Sequence, residues 1–338
     1  MSYELVINST PDEVVTALLH ENKLIELHKE GIDDRFNVGD VYLGKVKKIV
    51  PSLNAAFVDV GYEKDAFLHY LDLGPQFRSM NKYVQASIKG KQTTHKLGYN
   101  KIEADIAKDG KIKDHISSNQ LLAVQVTKEP ISSKGPRLSA EVTIPGRYLV
   151  LVPFSDKISV SQKIKDAKER DRLVRLINSI KPRKFGVIIR TTAQGKNEEV
   201  LKEEFDTLTN QWKSCIRKTK SKKAPKLVHE DGSMSFRVIR DLFDRDVDNI
   251  YVDSKSIYTS ICNYVKKINP NNLEKINFFN KKKPIFNIHN IEEQISKSLN
   301  KKVWLRSGGH LAIDHTEAMS VIDVNSGRYI GKKDHEEN

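Results

Sequence analysis

Val41-Tyr42-Leu43-Gly44-Lys45-Val46, with Ile49 following, carries the two-residue period of a β-strand. Pro51-Ser52-Leu53-Asn54 supplies a turn, and Ala55-Ala56-Phe57-Val58-Asp59-Val60 is a second strand run. Gly61-Tyr62-Glu63-Lys64-Asp65 turns the chain again, and residues 66–69 form a third strand. After a polar interruption, Leu121-Leu122-Ala123-Val124-Gln125-Val126 resumes the pattern. Several short antiparallel strands with tight turns in so short a stretch predict a small β-barrel of the OB type.

Outward from the barrel the periods differ. Residues 3–7 read as a short strand and residues 10–20 as a helix, because Thr10-Pro11-Asp12-Glu13 offers a cap, a first-turn proline and acids. Val14, Leu18 and Leu19 then recur at helical spacing, and this small element needs a later segment to bury its face. Downstream, 148–152 and 185–190 read as buried strands and 156–180 as a charged helix. Residues 197–219 read as a longer helix with Leu201, Phe205, Leu208 and Trp212 on one side. From Lys213 to Lys226 there are seven bases and no acid, read as a helix end and a linker at a domain boundary. Segments 235–243 and 249–252, a helix at 256–268, a seam at Lys281-Lys282-Lys283-Pro284 and a helix at 288–299 complete the outline. No fixed-period repeat is visible.

The chain has 338 residues, a length for two or three domains. Lys plus Arg is 57 and Asp plus Glu is 44, so the net charge is +13, the excess expected of a protein that works on a polyanion. A lysine-rich proteome gives the same sign, so charge alone does not decide. The only cysteines, Cys215 and Cys262, argue against a disulfide framework or a cysteine zinc site within this chain. The longest apolar run, near 148–154, is far below the roughly 18 residues of a membrane span. With no basic-then-apolar start, the expectation is a soluble cytoplasmic protein with no membrane partner.

The last block is Leu305-Arg306-Ser307-Gly308-Gly309-His310-Leu311-Ala312-Ile313-Asp314-His315-Thr316-Glu317-Ala318-Met319-Ser320-Val321-Ile322-Asp323-Val324-Asn325-Ser326-Gly327-Arg328. It reads as a glycine turn, a strand at 311–313, a polar turn and a strand at 319–324. Side chains alternate along a strand, so Asp323 and Asn325 point the same way. Such a pair can offer oxygens to a hard divalent cation. Spacing alone favours the plainer alternative, a pair that stabilises its own turn.

This block resembles the catalytic signature of the bacterial ribonuclease E/G endoribonucleases, in Ser307-Gly308-Gly309, Thr316-Glu317-Ala318-Met319 and Ile322-Asp323-Val324-Asn325-Ser326-Gly327. The resemblance extends in order along the chain. Val41 to Val46 and Pro51 to Gly61 are similar to the family's RNA-binding OB domain. Pro145-Gly146-Arg147-Tyr148-Leu149-Val150-Leu151-Val152-Pro153 and Ile189-Arg190-Thr191-Thr192-Ala193-Gln194-Gly195-Lys196 are similar to its 5′-end-sensing region. Arg240-Asp241-Leu242-Phe243 with Ile250-Tyr251-Val252-Asp253 matches the domain that follows. The length of the OB block leans towards the ribonuclease G branch.

The resemblance implies an α+β multidomain fold: an OB-fold RNA-binding domain (38–130, with a basic insertion) placed inside an RNase H-like domain (1–37 plus 222–284), then a 5′-sensor region (131–221) and the start of a DNase I-like catalytic domain (285–338). Residues 1–30 should then contact the 228–252 region. It implies cleavage of single-stranded, AU-rich RNA in rRNA processing and mRNA decay, with Mg2+ held by Asp323 and a second aspartate, and Asn325 positioning a ligand or the phosphate. Phe57 and Phe67 become base-stacking aromatics, although a lone strand phenylalanine, without the surrounding match, reads more readily as barrel core. Lys134 and, less directly, Lys128 would meet the RNA backbone, and Gly146, Val150, Arg190 and Thr191 would form a pocket for a 5′-monophosphate. Between Leu73 and Ile102 there are six bases and no acid, which read as a solvated insertion or, beside the barrel, as added RNA-facing surface.

In the family, the chain continues past the position of Asn338 to the second metal aspartate, a cysteine pair sharing Zn2+ between subunits, and a dimerising small domain. The expectation is therefore an incomplete polypeptide whose longer form is a homo-oligomer. Neither Asp314 nor Glu317 matches the second ligand. Two other readings stay open: a non-catalytic RNA-binding protein, and a translation-associated OB protein whose basic surface is its sole asset.

Overall fold

The computed structural model describes residues 3–31, 36–92, 96–97, 101–131, 134–220, 223–232, 237–240, 247–268, 270–305, 308–317 and 319–327. The parts of the motifs above that fall on Ser133, Lys222, 233–236, 241–246, Arg306, Ser307, Ala318 and 328–338 lie outside them.

Strand β1 (Tyr3–Ser9) and β2 (Glu13–His20) form an antiparallel hairpin, with Ser9 opposite Val14 and Leu5 opposite Leu18, and β3 (Lys23–Gly31) pairs with β2. Residues 10–20 are thus not a helix. The capping chemistry of Thr10 closes a turn instead, with Thr10 N donating to Glu13 O at 2.8 Å and Glu13 N donating to Thr10 Oγ1 at 3.1 Å. Val15 to Leu19 are buried one after another, so β2 is a central strand covered on both faces. A continuous apolar run of that kind matches helical spacing by accident.

Strands β4 (Val41–Val50), β5 (Ala55–Asp59), β6 (Ala66–His69), β7 (Leu121–Lys128) and β8 (Arg137–Ser139) close a barrel in the order β4-β5-β6-β8-β7-β4, an OB-like arrangement. One strand seals it: residues 41–45 of β4 pair with β7 and residues 45–50 with β5. At the switch a side chain on Gly44 would lie 2.7 Å from Val58 Cγ1, so the closure requires glycine there. Val46, Val58, Leu68, Val124 and Leu138 fill the interior.

The basic stretch after Leu73 is not simply solvated. Helix α1 (Phe77–Ile88) occupies its first half, with Phe77, Met80, Tyr83 and Val84 buried and Lys82 paired to Glu103. Strands β9 (Ile144–Pro145), β10 (Leu149–Pro153), β11 (Ile158–Val160) and β12 (Phe185–Ile189) make a second sheet, ordered β11-β12-β10-β9. Helix α2 (Ala167–Ile180) is capped by Asp166 and starts later than the sequence pattern implied, because the alternating residues 158–160 run parallel with β12. Helix α3 (Glu198–Thr219) is capped by Asn197 and buries Leu201, Phe205, Leu208 and Trp212, the face read from the sequence. Its end docks on α1 through Ser87 Oγ and Thr219 Oγ1, 3.0 Å apart.

After the basic run, β13 (Lys226–His229) adds to β4 of the barrel sheet. Residues 222–244 accordingly fall in a unit spanning 33–244, which interrupts a second unit of residues 1–32 and 245–338. This differs from the expected grouping of 222–284 with 1–37, because Lys226 pairs with Leu43 of the barrel sheet.

In the second unit, β14 (Val247–Val252) runs parallel beside β1, so residues 1–30 meet the 228–252 region at its last six residues, whereas His229 pairs with Val41 of the barrel. With β15 (Ile276–Phe278) they form a sheet ordered β15-β14-β1-β2-β3. Helices Lys255–Ile268 and Ile291–Ser298 follow near their expected positions. Strands β16 (Lys302–Trp304), β17 (His310–His315) and β18 (Ser320–Asn325) form an antiparallel sheet of their own. Among the described residues, no helix is long and apolar enough to cross a membrane.

Candidate functional site

Barrel register brings together residues far apart in sequence. Lys48 lies opposite Phe57, Phe57 opposite Phe67, Phe67 opposite Arg137, and Arg137 opposite Lys128, a row crossing all five strands. Side chains flanking Phe57 and Phe67 point into the barrel, so both rings stand half-exposed on its outer face. The barrel-core alternative for these two residues does not hold. Their rings meet edge to face at 5.9 Å, and the ring of His69, two residues along β6, lies 6.4 Å from Phe67 at 26°. Asp72 braces Arg137, accepting from Nε at 3.0 Å and pairing with Nη2 at 2.9 Å. Lys134 is exposed at the end of the β7–β8 hairpin, where its backbone bridges to Ile131. Cations flanking paired aromatic faces suit an unpaired polynucleotide, whose bases stack while its phosphates find charge. Lys48, His69 and Arg137 carry no motif signal; only strand register places them here.

The residues assigned to a 5′-phosphate pocket also converge. Arg190 Nη1 donates to Gly146 O at 2.9 Å, and Arg190 N donates to Tyr148 O at 2.8 Å. Thr191 Oγ1 lies 3.2 Å from Ser161 Oγ. Val150 pairs with Ile188 and Pro145 on the half-exposed side of the sheet, while Leu149 and Leu151 bury the other side. The ring of Tyr148 carries Arg147 at 4.9 Å and Lys196 at 5.4 Å, so two further cations border these loops.

At the far end of the chain, Asp323 lies opposite Ala312 and Asn325 opposite His310. Asn325 Nδ2 donates to Asp323 Oδ2 at 2.8 Å, so the two side chains share one side of β18 as alternation requires. Asp323 is exposed, not packed among apolar neighbours. The glycines of the block meet beside them: a side chain on Gly327 would lie 2.5 Å from Gly308 O, and one on Gly309 would lie 2.8 Å from Asn325 O. The two turns, one before β17 and one after β18, thus approach backbone to backbone and need glycine. Asp314 is paired with Lys301 at 2.6 Å. Among the described residues, no group of three or more His, Cys, Asp or Glu side chains is placed to hold a metal. The exposed Asp323 carboxylate, with the Asn325 amide N–H on one oxygen, is a hard-oxygen donor of the kind that Mg2+ takes one or two at a time while keeping several waters.

The match to known proteins follows this layout. The ribonuclease E/G family model covers residues 143–338. Ribonuclease G of Salmonella typhimurium is 34% identical over 98% of this chain and 64% of its own length, and ribonuclease G of Haemophilus influenzae is 32% identical over 99% and 64%. Ribonuclease E of Nostoc is 35% identical over 86% of this chain and 39% of its own. The chain belongs to the ribonuclease E/G family. It spans somewhat less than two thirds of the length of the ribonuclease G relatives it matches.

Proposed function

We propose that this chain is the RNA-binding and 5′-sensing portion, with part of the catalytic portion, of an endoribonuclease that cuts single-stranded, AU-rich RNA in rRNA processing and mRNA decay. The observation that carries the reading is the row Lys48–Phe57–Phe67–Arg137–Lys128, an aromatic pair between cations on a closed barrel. In this reading the five-stranded β-sheet that includes β1 is RNase H-like and the β16–β18 sheet begins a DNase I-like domain.

Phe57 and Phe67 stack successive bases, while Lys48, Lys128, Lys134 and Arg137 meet phosphates and fix the strand's direction. Arg190, held by the Gly146 carbonyl, and the Thr191 hydroxyl receive a 5′-monophosphate by charge-assisted hydrogen bonds. Asp323 would hold Mg2+ through a carboxylate oxygen, with Asn325 orienting that carboxylate through its 2.8 Å hydrogen bond. The chemistry such an ion would supply there is a lowered water pKa and compensation of the charge of in-line displacement.

The deciding experiment is cleavage of a 5′-monophosphorylated, AU-rich oligonucleotide by the intact protein with Mg2+. Cleavage that is faster than for the 5′-hydroxyl oligonucleotide, and lost in Asp323→Asn, supports the reading. An uncut substrate, or a variant as fast as the wild type, refutes it. A second reading, RNA binding without cleavage, is favoured by the 2.6 Å pairing of Asp314 with Lys301, which commits the other carboxylate of the two hairpin strands to an ion pair. It predicts salt-steep affinity and no products.

A further inference from the structure

The loop 146–149 carries the candidate 5′-phosphate residues Gly146 and, through its carbonyls, the grip on Arg190. Its shape is imposed from the opposite side by Glu204 of α3, a residue that no motif singles out. Glu204 Oε1 accepts from Arg147 N at 2.6 Å, and Oε2 accepts from Tyr148 N at 2.8 Å and Leu149 N at 2.7 Å. Three successive N–H groups turned to one side form a nest of the kind that binds anions. Here the chain's own carboxylate fills it.

The consequences run through the peptide planes. Gly146 N donates to Leu149 O at 2.7 Å, closing a tight loop. A side chain at Gly146 would come within 2.9 Å of the Glu204 carboxyl carbon, so this glycine lets the carboxylate approach. With the N–H groups drawn towards α3, the carbonyls of the same peptide units, those of residues 146–148, face β12 and the turn after it. Gly146 O receives Arg190 Nη1, Arg147 O receives Thr192 Oγ1 at 2.5 Å, and Tyr148 O receives Arg190 N. One carboxylate therefore sets the direction of three carbonyls, and one of these aims the Arg190 guanidinium.

We infer that Glu204 is a positioning residue for 5′-end recognition: it holds loop 146–149 so that Arg190 and Thr191 present a prearranged site to a terminal phosphate, without touching RNA itself. The inference rests on the 5′-monophosphate reading above. A residue that merely anchors α3 would alter stability and all RNA binding alike. A positioning residue alters discrimination between 5′ ends, because the barrel row still holds the rest of the strand.

The test is fluorescence anisotropy of one short AU-rich RNA carrying either a 5′-monophosphate or a 5′-hydroxyl, with the intact wild type, Glu204→Gln and Glu204→Asp. Glu204→Gln keeps the shape but turns an NH2 group against the backbone donors. It is expected to bind 5′-hydroxyl RNA like the wild type and to lose roughly tenfold or more of the preference for the phosphate, the scale on which misplacement by an ångström acts. Glu204→Asp recovers part of that preference. An unchanged preference in Glu204→Gln, or affinity for both RNAs falling together, overturns the inference. If Glu204→Gln does not fold, an unchanged preference in Glu204→Asp overturns it equally. A wild type that does not discriminate at all overturns the 5′-monophosphate reading itself, a result distinct from the others.

Discussion

The barrel face and the Asp323 hairpin both present functional candidates on β-strands, but they are supported differently. Behind Phe57 and Phe67 lies a filled barrel core in which Val58 and Leu68, their sequence neighbours, are wholly buried. Behind Asp323 and Asn325, the alternate residues Ile322 and Val324 are 59% and 68% exposed. A closed barrel positions its outer side chains by register and by the core beneath. The three-stranded sheet positions Asp323 by one amide hydrogen bond and the glycine contacts at its end. The first surface is held by a core, the second by one amide and its glycine turns.

The largest effect should come from the hairpin. Asp323→Asn is expected to slow RNA cleavage by about 100-fold or more, since several kcal/mol of charge stabilisation is at stake, with RNA affinity nearly unchanged. Equal losses of both would erase the contrast between the two regions.

On the barrel side, Asp40 is buried where β13 joins β4 and accepts from Asp231 N at 3.1 Å. Burial pushes its carboxyl up to about 6, with the charges of Glu230 and Asp231 adding to the effect. The folded chain then holds that proton more tightly than the unfolded chain, so this group's contribution to stability declines as pH rises from about 4 to 6. The expected decline is about 3 kcal/mol, and Asp40→Asn should remove it from unfolding curves measured across that window.

Phe57→Ala and Phe67→Ala should each weaken single-stranded RNA binding by about 1–3 kcal/mol, measurable by anisotropy, with the melting temperature little changed because neither ring is in the core. Because the rings touch, the double variant should lose less than the sum. Lys48→Ala and Arg137→Ala are expected to lower the slope of log affinity against log salt by about one each. Smallest of all, Ile322→Ser should shift stability by no more than about 0.5 kcal/mol, as expected for a side chain that is not packed. A large loss would show that the back of the hairpin is covered, and the contrast would fail.

Much of this was legible in the chain itself. The barrel strands, the face of α3 and the alternation that aligns Asp323 with Asn325 follow from period-two and helical spacing. The glycine turns were marked in the sequence, but not their mutual contact. The helix expected at 10–20 is a strand because capping residues and apolar spacing serve a hairpin equally well when both faces are covered. The bases after Leu73 hid a helix, because its apolar residues are spaced among polar and basic ones and only packing against the barrel and α3 gives them a core.

By itself the sequence determined the local periods, the charge and the family motifs, because these depend on neighbouring residues. The tertiary structure alone decided that Lys48, Phe57, Phe67, Arg137 and Lys128 form one row, that β13 belongs with the barrel, and that Glu204 fills the nest at 147–149. Each of these depends on strand register or helix docking between residues tens to hundreds of positions apart, and such contacts are selected by burying a shared core.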